Sequence, residues 1–287
     1  MAHNTIAIIA DCDDTLAPDT SVQLLRSCGV DPERFFKEYA TSLVAQGWDP
    51  SLAYLHELIR LAQDGTIPGL TRERLSAIGR ELEFYPGMPD CLGRLKHEIE
   101  EDERYREFGI KLDCYVISGG IEEVLEASAL RPLVRGLWGC SFAYDENGII
   151  RFPRRVISFT DKTRYVFNIQ KGKVADEFKG RPYAVNEPMD ASERPVPFEH
   201  MIYIGDGPSD IPCMSLVQSN HGYVIGVLCD DNPFRTWALG YGRRANLTVP
   251  REFADDGFGY KFIKQAATGI ADQICRDLTA PRAAPGY

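Results

Sequence analysis

Long apolar runs are missing from this sequence: none approaches the ~18 apolar residues that a membrane-spanning helix needs. A surplus of positive charge is missing as well. Against 32 Lys and Arg stand 42 Asp and Glu, a formal net charge of −10 over 287 residues. Holding nucleic acid through bulk charge requires basic surface to displace phosphate counterions, so a nucleic-acid partner is not expected. Cysteine pairs are absent too. The eight cysteines, at 12, 28, 91, 114, 140, 213, 229 and 275, are scattered with no Cys-x-x-Cys pair and no Cys/His cluster. A structural zinc site is therefore not expected. Cys114 and Cys229 lie in apolar runs and read as buried, reduced thiols. The first apolar run ends at Asp11, too early for a secretory core, which points to a cytoplasmic protein without membrane contact.

What is present is ordinary globular material. Hydrophobic residues make up 44% and charged residues 26%, which excludes disorder throughout and a collagen-like repeat. The length suits one large domain or two modest ones. Four short apolar runs rich in β-formers stand out: Thr5–Ala10, Leu112–Ile117, Met201–Ile204 and Tyr223–Cys229. Helical patterns intervene at Pro89–Glu100, Glu122–Leu130 and Lys162–Gln170. Short apolar strands alternating with helices predict an α/β fold, a mainly parallel sheet flanked by helices. Turn chemistry at Asp145-Glu146-Asn147-Gly148 predicts a hairpin within Cys140–Phe152. Residues 18–84 break the alternation. Val22–Leu25, Phe35–Leu43, Leu52–Leu61 and Leu75–Leu82 carry helical spacing without a convincing strand. They predict a helical domain over 18–84, inserted into an α/β core formed by 1–17 and 85–287. Residues 172–199 read as a long loop and 280–287 as a frayed tail. Internal repeats are absent.

Four places along the chain suggest chemistry. The first strand runs into Asp11-Cys12-Asp13-Asp14-Thr15, and ligands of open α/β sheets bind beyond the carboxyl ends of strands. Acidic turn residues also occur there without a function. The second strand leads through Ile117 into Ser118-Gly119-Gly120 and a predicted helix from Ile121. A hydroxyl and free backbone N–H groups at a helix start can hold an anion, or simply cap the helix. The third strand ends in Gly205-Asp206-Gly207-Pro208-Ser209-Asp210, where two carboxylates four residues apart suit Mg²⁺, a cation that takes few protein ligands. Finally, Lys162 at the start of a helix opposes the helix dipole unless an anion lies nearby, although an exposed lysine would look the same.

Taken together, these four segments resemble the signatures of the haloacid dehalogenase superfamily. Asp11-Cys12-Asp13-Asp14-Thr15 matches Asp-x-Asp-x-Thr, Ser118 matches the hydroxyl of the second signature, Lys162 the downstream lysine, and Gly205–Asp210 the Gly-Asp-x-x-x-Asp segment. Order and strand context agree over residues 5–230. The resemblance implies a Rossmann-like core carrying a helical cap, with Mg²⁺ as cofactor and a small phosphorylated metabolite as substrate. It makes Asp11 the nucleophile that forms an aspartyl-phosphate and Asp13 the general acid and base. Asp11, Asp13 (through its backbone carbonyl) and Asp206 would form the metal site, with Asp210 supporting the metal shell or pairing with Lys162. Phosphate contacts would come from Asp14, Thr15, Ser118, Gly119 and Lys162, those near Asp14 and Gly119 through backbone N–H groups.

A carboxylate at Asp13 argues against dehalogenases, which release halide without a proton. The aspartyl-phosphate pumps need membrane helices that this chain lacks. A phosphatase is thus expected, with a phosphomutase or phosphotransferase and a non-catalytic phosphate sensor as the alternatives. The arrangement looks most like the phosphoserine phosphatase group, but Ser118-Gly119-Gly120-Ile121 replaces that group's Gly-Gly-Phe stretch and the 172–199 loop is extra. Phosphoserine is therefore not carried over as substrate. The cap's basic residues Arg26, Arg34, Lys37, His56 and Arg60 are the candidates for substrate contacts.

Overall fold

The computed structural model describes residues 3–228 and 244–280. Cys229 and the tail after Ala280 lie outside the described residues. Among the described residues, seven strands form one sheet: β1 (Thr5–Ala10), β2 (Lys111–Ile121), β3 (Gly136–Tyr144), β4 (Ile150–Arg155), β5 (Met201–Gly205), β6 (Tyr223–Val227) and β7 (Leu247–Val249). Their order is β4-β3-β2-β1-β5-β6-β7. Every pairing is parallel except the β3–β4 hairpin, whose turn is the predicted Asp145–Gly148 segment. Fold class and hairpin are as expected.

The sheet is apolar because helices cover it. Ile6, Ala7, Ile8 and Ile9 of β1 are buried, as are Ile202, Tyr203 and Ile204 of β5. A strand shielded on both faces has no polar side to alternate with, hence its continuous apolar run. Chain order fixes where a ligand can enter. From β1 the chain builds outward to β2, β3 and β4, and returns on the other side through β5, β6 and β7. The crevice therefore opens at the carboxyl ends of β1 and β5, where the winding direction changes. Ala10 pairs with Ile204 in that register, and the Asp11 amide donates to the Ile204 carbonyl at 3.0 Å.

Between β1 and helix Asp90–Glu101 the chain is helical, with main segments Thr20–Ser27, Pro50–Gln63 and Arg72–Arg80. Each begins on a side-chain cap: Asp19 accepts from the Ser21 and Val22 amides, Asp49 from Leu52 and Thr71 from Arg74. Such caps satisfy amides that the first helical turn leaves unpaired. The predicted run Phe35–Leu43 is a helix broken by a π turn over Phe35–Ala40. The helices pack onto the sheet around Leu55, Leu58, Leu70 and Leu75, which share one continuous apolar cluster with β1 and β2.

Three details differ from expectation. Strand β2 runs on through Ser118, Gly119 and Gly120 to Ile121, and the next helix begins at Glu122 and ends at Ala127. The reason is a register shift against β3 between Ile117 and Ile121, a bulge that two glycines accommodate. The segment 172–199 is not wholly irregular but contains short 3-10 turns at Asp176–Phe178, Ala184–Asn186 and Ala191–Glu193. The C-terminal part adds β7 and the long helix Phe258–Thr279, whose Tyr260, Ile263, Ala267, Ala271 and Ile274 are buried at helical spacing.

Candidate active site

The site starts with backbone geometry. Because β1 and β5 end side by side, Asp11 and Asp206 leave neighbouring strands together. Asp210 folds back under them after the Gly207–Ser209 turn, where its carboxylate accepts from the Gly207 amide at 3.4 Å. Gly205 is required for this approach: a Cβ there would come within 2.5 Å of the Asp210 carboxyl carbon. Asp11, Asp206 and Asp210 are all buried, and each offers an oxygen within 4.8 Å of the others.

Lys162 enters from helix Asp161–Gln170 and is itself buried. Its ammonium lies 2.9 Å from Asp11 Oδ2 and 2.8 Å from Asp210 Oδ1. The Tyr203 hydroxyl also donates to Asp210 Oδ1, at 2.8 Å. Burial works against the charge on Lys162, but Asp11 and Asp210 outweigh it and hold the ammonium above the usual lysine range. Burial, and next the Asp210 charge, push the Asp11 carboxyl well up, with Lys162 pulling the other way. One lysine among three buried carboxylates leaves the cluster short of positive charge. Hard oxygen donors at this spacing, with that deficit, fit Mg²⁺.

Asp13 faces the same space from the other edge. Its Oδ1 accepts from the Thr20 amide at 2.7 Å and its Oδ2 from the Ser118 hydroxyl at 3.3 Å. Its carboxyl is raised to about 6 by burial and then by Asp19, against the lowering effect of the Thr20 bonds. Gly120 has to be glycine, because its Cβ would fall 2.7 Å from Thr20 Oγ1 and 2.9 Å from Asp13 Oδ2. Its amide donates to Ser118 Oγ at 2.9 Å. The helix expected from Ile121 begins at Glu122, so Ser118, Gly119 and Gly120 do not stand at a helix start. The residues lie in the bulge of β2, and one of the two glycine amides is already engaged.

Among the sequence-derived candidates, Asp11, Asp13, Gly119, Lys162 and Asp206 line a cavity of about 300 Å³. The others stand around it. Thr15 is fully buried, and its hydroxyl donates to Asp206 Oδ1 at 3.4 Å. The Asp14 backbone is left-handed, with φ at 56°. Its carboxylate accepts from the Tyr85 hydroxyl at 3.4 Å and lies 3.6 Å from Arg251. Ser118 and Asp210 sit behind Asp13 and Lys162 as their supports.

The basic residues 26, 34, 37, 56 and 60 do not line this cavity. Arg34 pairs with Glu38, Lys37 with Glu33 and Arg60 with Glu57 and Asp64, His56 packs on Trp48, and Arg26 is exposed. Three of them are engaged in short-range pairs along their own helices. Instead, Ser51 lines the cavity together with Ile157, Phe159 and Pro208, and the Tyr54 hydroxyl donates to the Gly119 carbonyl at 2.6 Å. Ser51 and Tyr54 are three apart on helix Pro50–Gln63, hence on one face. Such spacing is common to every helix face and marks no site, and Tyr203, the Thr20 amide and Ile157 carry no motif either.

No family model matches the chain. An uncharacterized protein of Borreliella burgdorferi is 24% identical over 242 residues, which span 76% of this chain and 80% of that protein. Among solved structures, a HAD family hydrolase from Salmonella enterica subsp. enterica serovar Typhi superposes with a TM-score of 0.54 at 15% identity, covering 89% of this chain and 68% of its own. A phosphoserine phosphatase in the form of a phospho-aspartyl intermediate analogue also gives 0.54, at 14% identity over 91% and 99% of the two chains. The cytosolic 5'-nucleotidase IIIB bound to cytidine gives 0.51, at 15% identity over 97% and 88%. The chain thus has the fold of the haloacid dehalogenase hydrolases, in agreement with the resemblance its motifs carry. Phosphoserine phosphatases are among the proteins that share this fold.

Proposed function

We propose that this chain is a Mg²⁺-dependent phosphomonoesterase acting on a small phosphorylated metabolite through an aspartyl-phosphate at Asp11. The observation that carries this reading is the meeting of Asp11, Asp206 and Asp210 around Lys162 beside the Asp13 carboxyl. A phosphate monoester occupies the cavity with its phosphorus next to Asp11. The Asp11 carboxylate forms an O–P bond while the bond from phosphorus to the leaving oxygen breaks, and the Asp13 carboxyl gives that oxygen its proton. Water then attacks the aspartyl-phosphate, passing its proton to Asp13, and Asp11 and inorganic phosphate are released. Splitting one displacement into two is the gain of covalent catalysis.

The other residues fix positions. Thr20 and Ser118 hold the two oxygens of Asp13, and Asp210, itself held by Tyr203, positions Lys162. Lys162 and the backbone around Gly119 face the phosphate oxygens, where charge is spread during transfer. Asp11, Asp206 and the Asp13 carbonyl are the residues that would hold Mg²⁺, with Asp210 behind them. When bound, the ion supplies positive charge that offsets the phosphoryl oxygens. Residues 18–84 act as a cap that excludes bulk water and contributes Ser51 to the substrate wall.

A steady-state assay with an aryl phosphate tests this function. Free phosphate should appear with Mg²⁺, stop in EDTA and resume when Mg²⁺ is restored. Turnover that persists in EDTA, or phosphate retained on an organic acceptor, contradicts it.

A further inference from the structure

A second cavity, of about 510 Å³, shares no lining residue with the first. Both are built on helix Asp161–Gln170. Lys162 and Arg164 lie two positions apart and face different ways, Lys162 into the catalytic cavity and Arg164 into the second. Six cationic side chains line this second space, namely Arg154, Arg155, Arg164, Lys173, Lys179 and Arg181, with Glu122 as the lining carboxylate. Such a concentration is unexpected in a chain of net charge −10.

Local acids do not balance it. Arg155 pairs with Glu122, and Lys179 with Asp176 at 2.9 Å. Glu187 serves both Lys173 and Arg181. Arg164 reaches Asp161 at 3.2 Å, yet its Nε is buried without a hydrogen-bond partner. Arg154 holds no carboxylate, only the Ser141 hydroxyl at 3.4 Å. Four carboxylates thus serve five of the six cations, and of these acids Glu122 lines the concave wall, where repulsion is less screened than on open surface. An anion with several charges offsets that surplus, and forked guanidinium groups match phosphate oxygens.

We propose that this cavity binds a small molecule carrying two or more linked phosphates, either a nucleotide or an inorganic polyphosphate. The volume is that of a small-ligand site, and the acidic surface elsewhere disfavours an extended polyanion. The segment 172–199 supplies three of the six cations, which gives this segment a task.

The test is calorimetric titration of the full chain in EDTA with sodium tripolyphosphate, ATP and adenosine in separate runs. Tripolyphosphate is expected to bind, and the Arg164→Gln/Arg181→Gln double variant to bind ~10-fold or more weakly, because two charged donors to the phosphate oxygens are lost. Asp11→Asn should leave the affinity unchanged, which separates this site from the catalytic one. Should the double variant misfold, Arg154→Gln, exposed and without an acidic partner, should still weaken binding measurably. Equal affinity for ATP and tripolyphosphate assigns recognition to the phosphates, and tighter ATP adds the nucleoside as a second contact. The proposal falls if neither phosphate compound binds, if adenosine binds as well as ATP, if binding survives the substitutions, or if Asp11→Asn removes it.

Discussion

Helix Asp161–Gln170 sends Lys162 into a cavity walled by carboxylates and Arg164 into one walled by guanidinium and ammonium groups. In the first, Asp11, Lys162, Asp206 and Asp210 are all buried, and backbone pairing of β1 with β5 fixes the carboxylates. In the second, the charges sit on β4, on helix Asp161–Gln170 through Arg164, and on the segment 172–199. Lys179 and Arg181 there are more than half exposed. Charge at the strand ends is held under burial, so each group depends on its partner. Lys179 and Arg181 stay near water, so either can be removed at little cost, whereas Lys173 of the same segment is buried. The two regions should therefore respond in opposite ways to the same kind of change.

The largest contrast is expected in catalysis. Asp11→Asn should lower the turnover of an aryl phosphate by ~10³-fold or more, about 4 kcal/mol of transition-state stabilisation. Retained turnover would remove the distinction between a reactive cavity and a binding cavity. The next contrast lies in stability. Lys162→Met strands the buried Asp11 and Asp210 carboxylates and should cost ~3–5 kcal/mol in urea unfolding without metal. Arg181→Gln, which also removes one cation, should stay within about 0.5 kcal/mol of the parent. Equal losses in the two variants would break the comparison.

Smaller effects sharpen it. Gly205→Ala forces a methyl against the Asp210 carboxyl and should destabilise by ~1–3 kcal/mol, read from the same urea transitions. Tyr54→Phe removes the hydrogen bond to the Gly119 carbonyl. It should cost ~0.5–1.5 kcal/mol and raise KM more than it lowers kcat, since it joins helix Pro50–Gln63 to the cavity edge without touching the reacting atoms.

The strand-end site was far more legible in the amino-acid order than the second cavity. Buried parallel strands read as continuous apolar runs, so β1, β5 and β6 coincide with the runs at Thr5, Met201 and Tyr223, and the acids that follow β1 and β5 mark the ligand edge. Strand β7 is only three residues long, too short for a pattern. Helix Phe258–Thr279 buries alanines and glycine among its larger residues, which flattens its apolar stripe. The bulge in β2 hides where the following helix starts, since Ser-Gly-Gly suits a cap as well as a bulge. Tyr203, Thr20 and Tyr54 act through a strand interior, a backbone amide and a docked helix, none of which marks the local sequence. The six cations of the second cavity come from two separate segments, 154–164 and 173–181, and only the folded chain brings them together.

The most direct test of the central claim is chemical trapping of the nucleophile. The protein is mixed with an aryl phosphate and Mg²⁺, quenched with borohydride during turnover, digested and sequenced by mass spectrometry. An aspartyl-phosphate is reduced to homoserine, so the account predicts homoserine at position 11 and aspartate at positions 13, 206 and 210. Sustained turnover with Asp11 unmodified, or homoserine at another position, would contradict it.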